Sequence, residues 1–281
     1  ELTIADSVSG VSTWTFIVAV EASPVTDDII PEDYYNSFLS IASRAEAAAD
    51  RAEAVVLYNP NLLDNWYWVN PINQKGQASY NAIGYCIDRW RLNSSNILVE
   101  ILDDGVKWSN TAERGTMFFR NTFEKPLPAG TYTLSALTEE VEGSVIFYFA
   151  DNSGDTVSSS KLRLQPGLAS STVTVQNNSL FRIQGSLPAG SHAKIKAIKL
   201  EVGSKQTLAH QENGEWVLNE IPDYGEQLRR CQRYMFVLNA PTNSYAVGVG
   251  QVNSATNKTA RVFVPLPISM RSNPAITFEG N

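Results

Sequence analysis

The hydrophobic positions of residues 38–55 repeat at alternating spacings of three and four, and most positions between them are polar or alanine. The repeating positions are Phe38, Ile41, Ala45, Ala48, Ala52 and Val55. An apolar stripe this narrow is typical of a seam between parallel copies of one helix, whereas a globular core needs a wider stripe. We therefore predict a coiled-coil helix over residues 34–58, with Asp33 as its N-cap. At about two and a half heptads the seam is short, so we expect oligomerising domains at its ends.

The segments on either side of this helix predict strands. Residues 1–33 have the pattern of short strands and are interpreted as a small N-terminal β segment for attachment. Residues 59–206 contain strand patterns separated by turn signals such as Asp104-Gly105, at 97–104, 115–124, 131–140, 144–151, 171–176, 179–187 and 193–203. No helical pattern lies among them, so we predict a sandwich of two antiparallel sheets with a jelly-roll fold.

Residues 207–281 predict a short helix followed by the strands of an incomplete fibre domain. The helix is predicted from Pro222 to about Val237, with an apolar face made of Tyr224, Leu228, Cys231 and Met235. Three strand patterns follow, namely SYAVGVGQVNS, TARVFVPLPISM and AITFEG. They are too few to close a domain, so we expect further chain beyond Asn281 or neighbouring subunits to complete them. The predicted fold class is mainly β.

The amino-acid composition and net charge argue against some classes of function. Charged residues make up 18% of the chain and its formal net charge is −7, which argues against nucleic acid because that partner requires a basic face. No apolar run approaches the roughly 18–20 residues that span a bilayer, so no membrane insertion is expected. Cys86 and Cys231 lie in different predicted domains, and we expect buried thiols rather than a disulfide framework.

The segment 66–90 combines aromatic residues with Asn, Gln, Asp and Arg, as saccharide recognition requires. An aromatic face contacts the C–H side of a sugar ring, and polar side chains bind its hydroxyls. Tyr67 and Trp108, the latter in the loop predicted after Asp104-Gly105, are the preferred exposed candidates. The other candidates for glycan binding are Trp66, Tyr85, Asp88 and Arg89. Core packing is the favoured alternative for most of these aromatic residues, and an ion pair or strand packing for Asp88 and Arg89.

Catalysis and metal binding have little support in the sequence. Loop aspartates can hold structural Ca²⁺ in sandwich modules, and the candidates here are Asp103, Asp104, Asp151 and Asp155. Because they lack the regular spacing of a Ca²⁺-binding loop, we interpret them as turn residues. His192 and His210 are the only histidines, and neither lies in a metal-binding motif. A carboxylate pair for glycoside hydrolysis is defined by distance in space and stays open. We expect a protein that is not an enzyme and carries no cofactor.

Several motifs resemble a known protein family. NLLDNW at 61–66, NPINQKG at 70–76 and IDRW at 87–90 resemble the opening of a jelly-roll, carbohydrate-binding-module-like domain. That domain is common in tail-fibre and other tail proteins of phages and prophages. KLEVGS at 199–204 resembles the stretch that closes it, as do the later YGEQL and CQRY.

The fibre resemblance extends to the C-terminal residues. PLPISMR at 265–271 and NPAI at 273–276 are similar to a C-terminal strand motif of such fibres, and an Ala/Glu/Arg helix ahead of the module is typical of them. The resemblance covers residues 34–281 and implies a homotrimeric receptor-binding or fibre protein of a virion tail, assembled in the host cytoplasm. Its implied partners are other tail or baseplate proteins and host cell-surface polysaccharide. Two alternatives stay open: a carbohydrate-binding module or accessory domain of a bacterial glycan-active enzyme, and a purely structural tail connector.

Overall fold

The computed structural model describes residues 36–44, 59–157, 160–176, 178–238, 249–253 and 259–277. The chain divides into two compact units, Glu1–Leu57 and Tyr58–Asn281. In the first unit residues 36–44 form helix α1, inside the helix predicted over 34–58, and its Phe38 and Ile41 are 60% and 63% exposed. The strands predicted over 1–33 and the seam positions Ala45, Ala48, Ala52 and Val55 lie outside the described residues. Within the described ranges, no helix is long and apolar enough to cross a membrane.

The described part of the second unit contains strands and one helix. In chain order they are β1 Ser79–Tyr80, β2 Gly84–Tyr85, β3 Trp90–Leu92, β4 Ile97–Leu102, β5 Gly105–Asn110, β6 Thr116–Leu127, β7 Gly130–Glu142, β8 Ile146–Ala150, β9 Leu162–Arg163, β10 Gly167–Val175, β11 Leu180–Pro188, β12 His192–Val202, β13 Ala209–Glu212, β14 Glu215–Leu218, α2 Tyr224–Gln232, β15 Val249–Asn253 and β16 Thr259–Phe263.

The first twelve strands form a sandwich of two antiparallel sheets, as the alternating sequence predicted. Sheet A is six-stranded with the order β1-β4-β5-β12-β7-β10, and sheet B is six-stranded with the order β2-β3-β6-β11-β8-β9. Each of the seven strands predicted between 97 and 203 is present, with its ends shifted by a few residues. The short strands β1, β2, β3 and β9 escaped prediction because two or three residues are too few to show an alternation.

The prediction of a loop after Asp104-Gly105 was wrong, because residues 105–110 form strand β5. This strand pairs with β4 on one side and β12 on the other. Val106 and Trp108 face the core and are fully buried, while Lys107 between them points outward. The turn signal at Asp104-Gly105 therefore marks a tight hairpin between two core strands rather than the start of a long loop.

The core between the sheets is centred on contacting aromatic rings. Trp108 of sheet A stacks on Phe119 of sheet B with 4.0 Å between ring centroids, and Trp68 lies 4.9 Å from Trp90 and 5.2 Å from Trp108. All of these side chains are fully buried. Burial of several large aromatic side chains is a major source of stability for a sandwich of this size.

Gly185 on β11 is required by this aromatic packing. A Cβ atom at that position would lie 2.3 Å from the Phe119 ring, which is far closer than van der Waals contact. Phe119 and Phe147, on the strands that flank β11, meet edge to face at 5.4 Å over the space that glycine leaves. The glycine therefore lets two rings from different strands share one position of the core.

The hairpin β13–β14 and helix α2 follow the sandwich and contact it. Leu208 and Ala209 belong to the buried core of the sandwich. Helix α2 begins after Asp223, whose side chain accepts the Glu226 N–H as an N-cap. The helix confirms the prediction at 222–237, but its buried residues are Gln227 and Cys231 rather than a face that includes Tyr224, which is 46% exposed.

The C-terminal strands are described in part. β15 and β16 pair as an antiparallel hairpin inside two of the predicted strand patterns. Residues 264–277 form no strand, so the described part of the predicted AITFEG strand, residues 275–277, is irregular. Cys86 and Cys231 are both buried free thiols, as the sequence predicted.

Asn65 connects the core, the loops before β1 and helix α2 through its backbone. Its carbonyl oxygen accepts the indole N–H of Trp68 at 2.9 Å and of Trp90 at 3.0 Å. Its own N–H donates to the Gln227 side-chain oxygen of α2 at 2.9 Å. Asn65 is 2% exposed and has a φ of 52°, a left-handed conformation that asparagine tolerates better than most residues.

The Asn65 side chain completes this junction. Its amide nitrogen donates to the carbonyl oxygens of Ile72 and Asp88, and its oxygen accepts the Ile72 N–H at 2.7 Å. These backbone groups lie in segments without regular secondary structure, where no sheet neighbour is available to satisfy them. One buried amide therefore holds two irregular segments in place.

Replacing Asn65 by alanine is expected to lower the free energy of unfolding by roughly 3 kcal/mol, because the Ile72 N–H and the Asp88 carbonyl lose a buried partner and alanine is strained at positive φ. Urea unfolding followed by tryptophan fluorescence measures this change. Asn93→Ala, at an exposed position, is the matched control and should alter the free energy by less than about 0.5 kcal/mol. Equal stability of Asn65→Ala and the unchanged protein would contradict the role assigned to Asn65.

Candidate functional site

The structure distributes the six predicted glycan-binding residues over four environments. Trp66 and Trp108 are 1% and 0% exposed and belong to the hydrophobic core. The expectation that Trp108 is exposed was wrong, because its position on β5 turns the indole toward Phe119 of the opposite sheet. Neither indole offers a face to a ligand in this conformation.

Tyr67 lies at the edge of the sandwich and is half-buried. Its backbone forms an isolated bridge with Ala197 of β12, and its ring packs edge to face with Trp66 at 6.0 Å. A small pocket beside it is lined by Asn70, Tyr224 and Gln227, among others. Of the predicted site residues, Trp66 and Tyr67 line this pocket next to α2, whereas Tyr85, Trp108, Asp88 and Arg89 do not.

Asp88 and Arg89 contribute to the junction with the segment around α2, and they do not pair with each other. Arg89 forms an ion pair with Asp64 at 3.1 Å, donates to the Thr122 carbonyl oxygen at 2.7 Å, and lies 3.5 Å from the centre of the Tyr234 ring. Arg89 is 7% exposed. Its guanidinium is thus occupied by neighbouring groups of this chain.

Asp88 is 1% exposed and bonds to Gln74. Its carboxylate accepts the Gln74 N–H at 3.1 Å and the Gln74 side-chain amide at 2.5 Å. The same amide donates to the Met235 carbonyl oxygen, and the Val237 N–H donates to the Gln74 side-chain oxygen. Asp88 therefore positions the residue that ties the segment after α2 to the sandwich.

Tyr85 is the predicted candidate that is well exposed, at 49%, and it belongs to a row of side chains on the outer face of sheet B. The strand register places five residues opposite one another on successive strands. We call them the cross-strand row: Tyr85, Arg91, Arg120, Gln184 and Tyr148.

The row faces outward because its chain neighbours face the core. Phe119 and Phe147, next to Arg120 and Tyr148, are fully buried between the sheets, and successive side chains of a strand point to opposite faces. Neighbouring strands lie about 4.8 Å apart, so the four steps from β2 to β8 make a row of about 19 Å. Its length suits an oligomeric ligand rather than a single small molecule.

The side chains of the row differ in how far they reach solvent. Tyr85, Arg91 and Arg120 are exposed or half-buried, whereas Gln184 and Tyr148 are 7% and 9% exposed. The Gln184 amide donates to the Tyr148 hydroxyl, which orients both groups. The row thus consists of an accessible half with one aromatic ring and two guanidinium groups, and a buried half that supports it.

Two further cations flank the row. Arg182, on β11 beside Gln184, donates from Nε to the Asp151 carbonyl oxygen at 2.9 Å and from a terminal nitrogen to the Asn152 carbonyl oxygen. The Lys161 ammonium lies 5.7 Å from the centre of the Tyr148 ring. Burial lowers the pKa of Arg120, and the charges of Arg182 and Arg91 lower it further. The field at the centre of the outer face is therefore positive.

Sequence reasoning missed Arg91, Arg120, Gln184 and Tyr148. A signal was present in the predicted strand 179–187, where Arg182, Gln184 and Ser186 alternate with core positions. Alternation reveals that these side chains face outward. It does not reveal that β3, β6, β11 and β8 are neighbours, which is the information that assembles the row.

The histidines and the aspartate loops show no catalytic or metal-binding arrangement. His192 lies against Glu140 and Glu142, and His210 bonds to the Asn219 side-chain oxygen at 2.5 Å. Asp151 Oδ1 accepts the N–H groups of Gly154 and Asp155, as expected for a turn residue. Across the described ranges, no three His, Cys, Asp or Glu side chains converge as metal ligands.

Comparison with known proteins finds similar folds at low identity. No protein-family model matches the chain, and no curated protein matches it significantly. Bacteriophage CBA120 tailspike protein 4, enzymatically active domain, is 13% identical with a TM-score of 0.33, covering 49% of this chain and 23% of that one. BiXyn10A CBM1 in its apo form is 12% identical with a TM-score of 0.35, covering 52% of this chain and 100% of that one.

A third similar structure is TmCBM61 in complex with β-1,4-galactotriose. It is 13% identical with a TM-score of 0.31, and the match covers 51% of this chain and 99% of that one. At these identities and TM-scores, the likeness transfers no function to this chain.

The buried Asp88 carboxyl is expected to make stability depend on pH. Burial raises the pKa of Asp88 to about 6, although the bonds from Gln74 lower it. Because this pKa is higher in the folded than in the unfolded chain, the contribution of Asp88 to stability is fully present below about pH 4 and is lost as pH rises through about 6.

Asp88→Asn should remove this decline, which amounts to at most about 3 kcal/mol between pH 4 and 7. Urea unfolding in steps across that range provides the measurement. Asp103→Asn, which removes an exposed carboxylate from the β4–β5 turn, should keep the profile of the unchanged protein. A decline of the same size in Asp88→Asn would show that another group causes it.

Proposed function

We propose that this chain is a structural and host-adhesion component of a phage or prophage tail, a homotrimer whose sandwich binds cell-surface glycans. The observation that carries glycan binding is the cross-strand row on sheet B. It combines an exposed tyrosine ring with guanidinium and amide donors on a rigid sheet, and a saccharide requires an apolar contact together with directed hydrogen bonds. This proposal moves the site from the preferred candidates Tyr67 and Trp108 to Tyr85, one of the other predicted candidates, and its neighbours.

The row offers a precise way to hold a sugar polymer. Tyr85 has the exposed ring on which the C–H side of a pyranose packs, and Arg91 and Arg120 donate hydrogen bonds to oxygens along about 10 Å of the sheet, two strand steps. Because all three side chains come from paired strands, their backbone loses little conformational entropy when the ligand binds.

Self-association is supported by exposed apolar side chains at two places along the chain. Phe38 and Ile41 occupy seam positions of α1, and Val249 and Phe263 on the β15–β16 hairpin are 83% and 75% exposed. Large apolar side chains exposed together are typical of protein–protein contacts. A trimer would also bring several weak glycan sites onto one particle and raise the avidity.

The tail assignment is supported by the motifs that resemble tail-fibre proteins, from NLLDNW at 61–66 to PLPISMR at 265–271. The proposed partners are other tail or baseplate proteins and host polysaccharide, and the proposed location is the virion tail, after assembly in the bacterial cytoplasm. Two buried free thiols are compatible with assembly in a reducing compartment. We propose a binding role without catalysis.

Two other functions make different predictions from the same fold. A carbohydrate-binding module of a glycan-active enzyme would bind saccharide as a single chain. A structural tail connector would form the trimer and bind no saccharide. The oligomeric state and saccharide binding, measured together, therefore separate the three functions.

Tyr85→Ala is expected to weaken saccharide binding at least about fivefold, since loss of stacking on an aromatic ring costs about 1–3 kcal/mol. A glycan array with the full chain identifies a ligand, and titration calorimetry then measures the affinity. Tyr224→Ala removes a tyrosine of similar exposure, 46%, at the small pocket beside Tyr67 and should bind normally. If Tyr224→Ala alone lost binding, the site would lie at that pocket instead.

The full chain is expected to sediment as three chains at micromolar concentration. Ile41→Asp should convert it to single chains, because a charge in an apolar seam is desolvated without a partner. Ser40→Asp, at a neighbouring exposed position, should remain trimeric. Sedimentation of the unchanged protein as one chain would contradict the proposed assembly.

A further inference from the structure

The outer faces of the two sheets differ in how their positive charges are paired. On sheet A the lysines have acidic partners: Lys107 with Glu140 at 3.5 Å, Lys194 with Asp104 at 2.6 Å and with Glu139 at 2.7 Å, and Lys196 with Glu139 at 3.8 Å. The His192 side chain also lies 2.6 Å from Glu140. This face therefore resembles an ordinary solvated surface with mixed charges.

The outer face of sheet B carries arginines on three neighbouring strands, β3, β6 and β11. Arg91 lies directly opposite Arg120 in the strand register, and Arg182 follows one strand further along. In the described part of the chain none of the three forms an ion pair with a carboxylate. Like charges placed directly opposite each other destabilise a sheet, so folding alone does not favour this arrangement.

The acidic side chains nearest to this face are already bonded elsewhere. Glu124 of β6 pairs with Arg233 at 2.7 Å, and Asp64 pairs with Arg89 and Arg230. In the loop after β8, Asp151 accepts backbone N–H groups, and Arg182 reaches carbonyl oxygens of that loop rather than a carboxylate. No acidic group of the described chain is therefore positioned to neutralise Arg91 and Arg120.

We propose that the glycan held by the cross-strand row is an anionic polysaccharide, whose carboxylate or phosphodiester groups are bound by Arg91 and Arg120, with Arg182 adding positive potential behind them. This inference rests on the proposed glycan-binding function and adds the charge of the ligand. Guanidinium groups suit the task because their planar donors match carboxylate and phosphate oxygens in pairs.

The charge of the whole chain makes this local arrangement significant. With a net charge of −7, the protein repels polyanions at long range, and at physiological salt this repulsion is screened beyond about 8 Å. An anionic ligand is therefore attracted where cations are concentrated and have no acidic partner, and among the described residues the outer face of sheet B is such a place. Lys161 and Arg163 extend the positive charge toward the β9 edge of that face.

Two matched pairs of polymers test the charge of the ligand against the full-length protein. The first pair is polygalacturonate and its fully methyl-esterified form, and the second is phosphorylated dextran and dextran. Titration calorimetry at low and at physiological salt is expected to show binding to at least one anionic member and at least tenfold weaker binding to its neutral partner. The pair that responds distinguishes recognition of carboxylate groups from recognition of phosphate groups.

Single substitutions then assign the binding to the arginines. Arg120→Gln and Arg91→Gln should each weaken binding of the anionic polymer about tenfold and reduce its salt dependence. Lys196→Gln removes one positive charge from the outer face of sheet A and should bind as the unchanged protein does. Thermal unfolding of the arginine variants should show equal or higher stability, because the repulsion between Arg91 and Arg120 is relieved.

The outcomes separate this inference from the function on which it rests. If the protein bound the neutral and the anionic member of each pair equally, or if the arginine variants bound normally, the ligand would not be recognised by its negative charge. The proposed glycan binding would still stand. If the protein bound none of the four polymers and no saccharide on the glycan array, the proposed glycan binding itself would be wrong. Equal binding of a DNA duplex would overturn saccharide recognition in favour of unselective attraction between charges.

Discussion

The buried hydrogen bonds of Asn65 are the constraint on which the irregular part of this structure depends. Its carbonyl oxygen receives the indole N–H groups of Trp68 and Trp90, and its amide ties down the loops that precede β1 and β3. Through Gln227 the same residue reaches helix α2. The motifs at 61–66, 70–76 and 87–90 converge on this junction, so their residues mainly hold the sandwich to the segment that follows it.

The sandwich separates structural aromatic residues from those available to a ligand. Its rigid interior is filled by indole and phenyl rings from both sheets, which leaves these rings no surface. The rigidity that they provide is useful at the outer face of sheet B, where Tyr85, Arg91 and Arg120 are held at fixed spacings by paired strands. The proposed binding row thus depends on the core beneath it, including the glycine at 185 that allows Phe119 to lie flat against β11.

The contrast between the two outer faces explains why one of them is the better candidate site. Sheet A pairs its lysines with glutamates and aspartates, so their charges are satisfied within the chain. Sheet B has arginines from adjacent strands that face one another, and burial together with the charges of Arg182 and Arg91 lowers the pKa of Arg120. A protein tolerates such local repulsion where a ligand compensates for it, and an anionic polymer is the ligand whose charge does so.

The sequence by itself determined the antiparallel sandwich, the positions of seven of its eight strands of five or more residues, the short helix after residue 222 and the burial of both cysteines. These are consequences of local patterns, since period-two alternation, turn residues and an N-cap act over a few residues. The tertiary structure alone decided that residues 105–110 form a core strand, which buries Trp108, and that Arg89 pairs with Asp64 rather than Asp88. It also decided the candidate site, because Tyr85, Arg91, Arg120 and Gln184 become neighbours only through the strand order β2-β3-β6-β11. The alternation of polar and apolar residues indicates whether a side chain faces the core or the solvent. The strand order, which depends on how the two sheets pack, decides which side chains lie next to it.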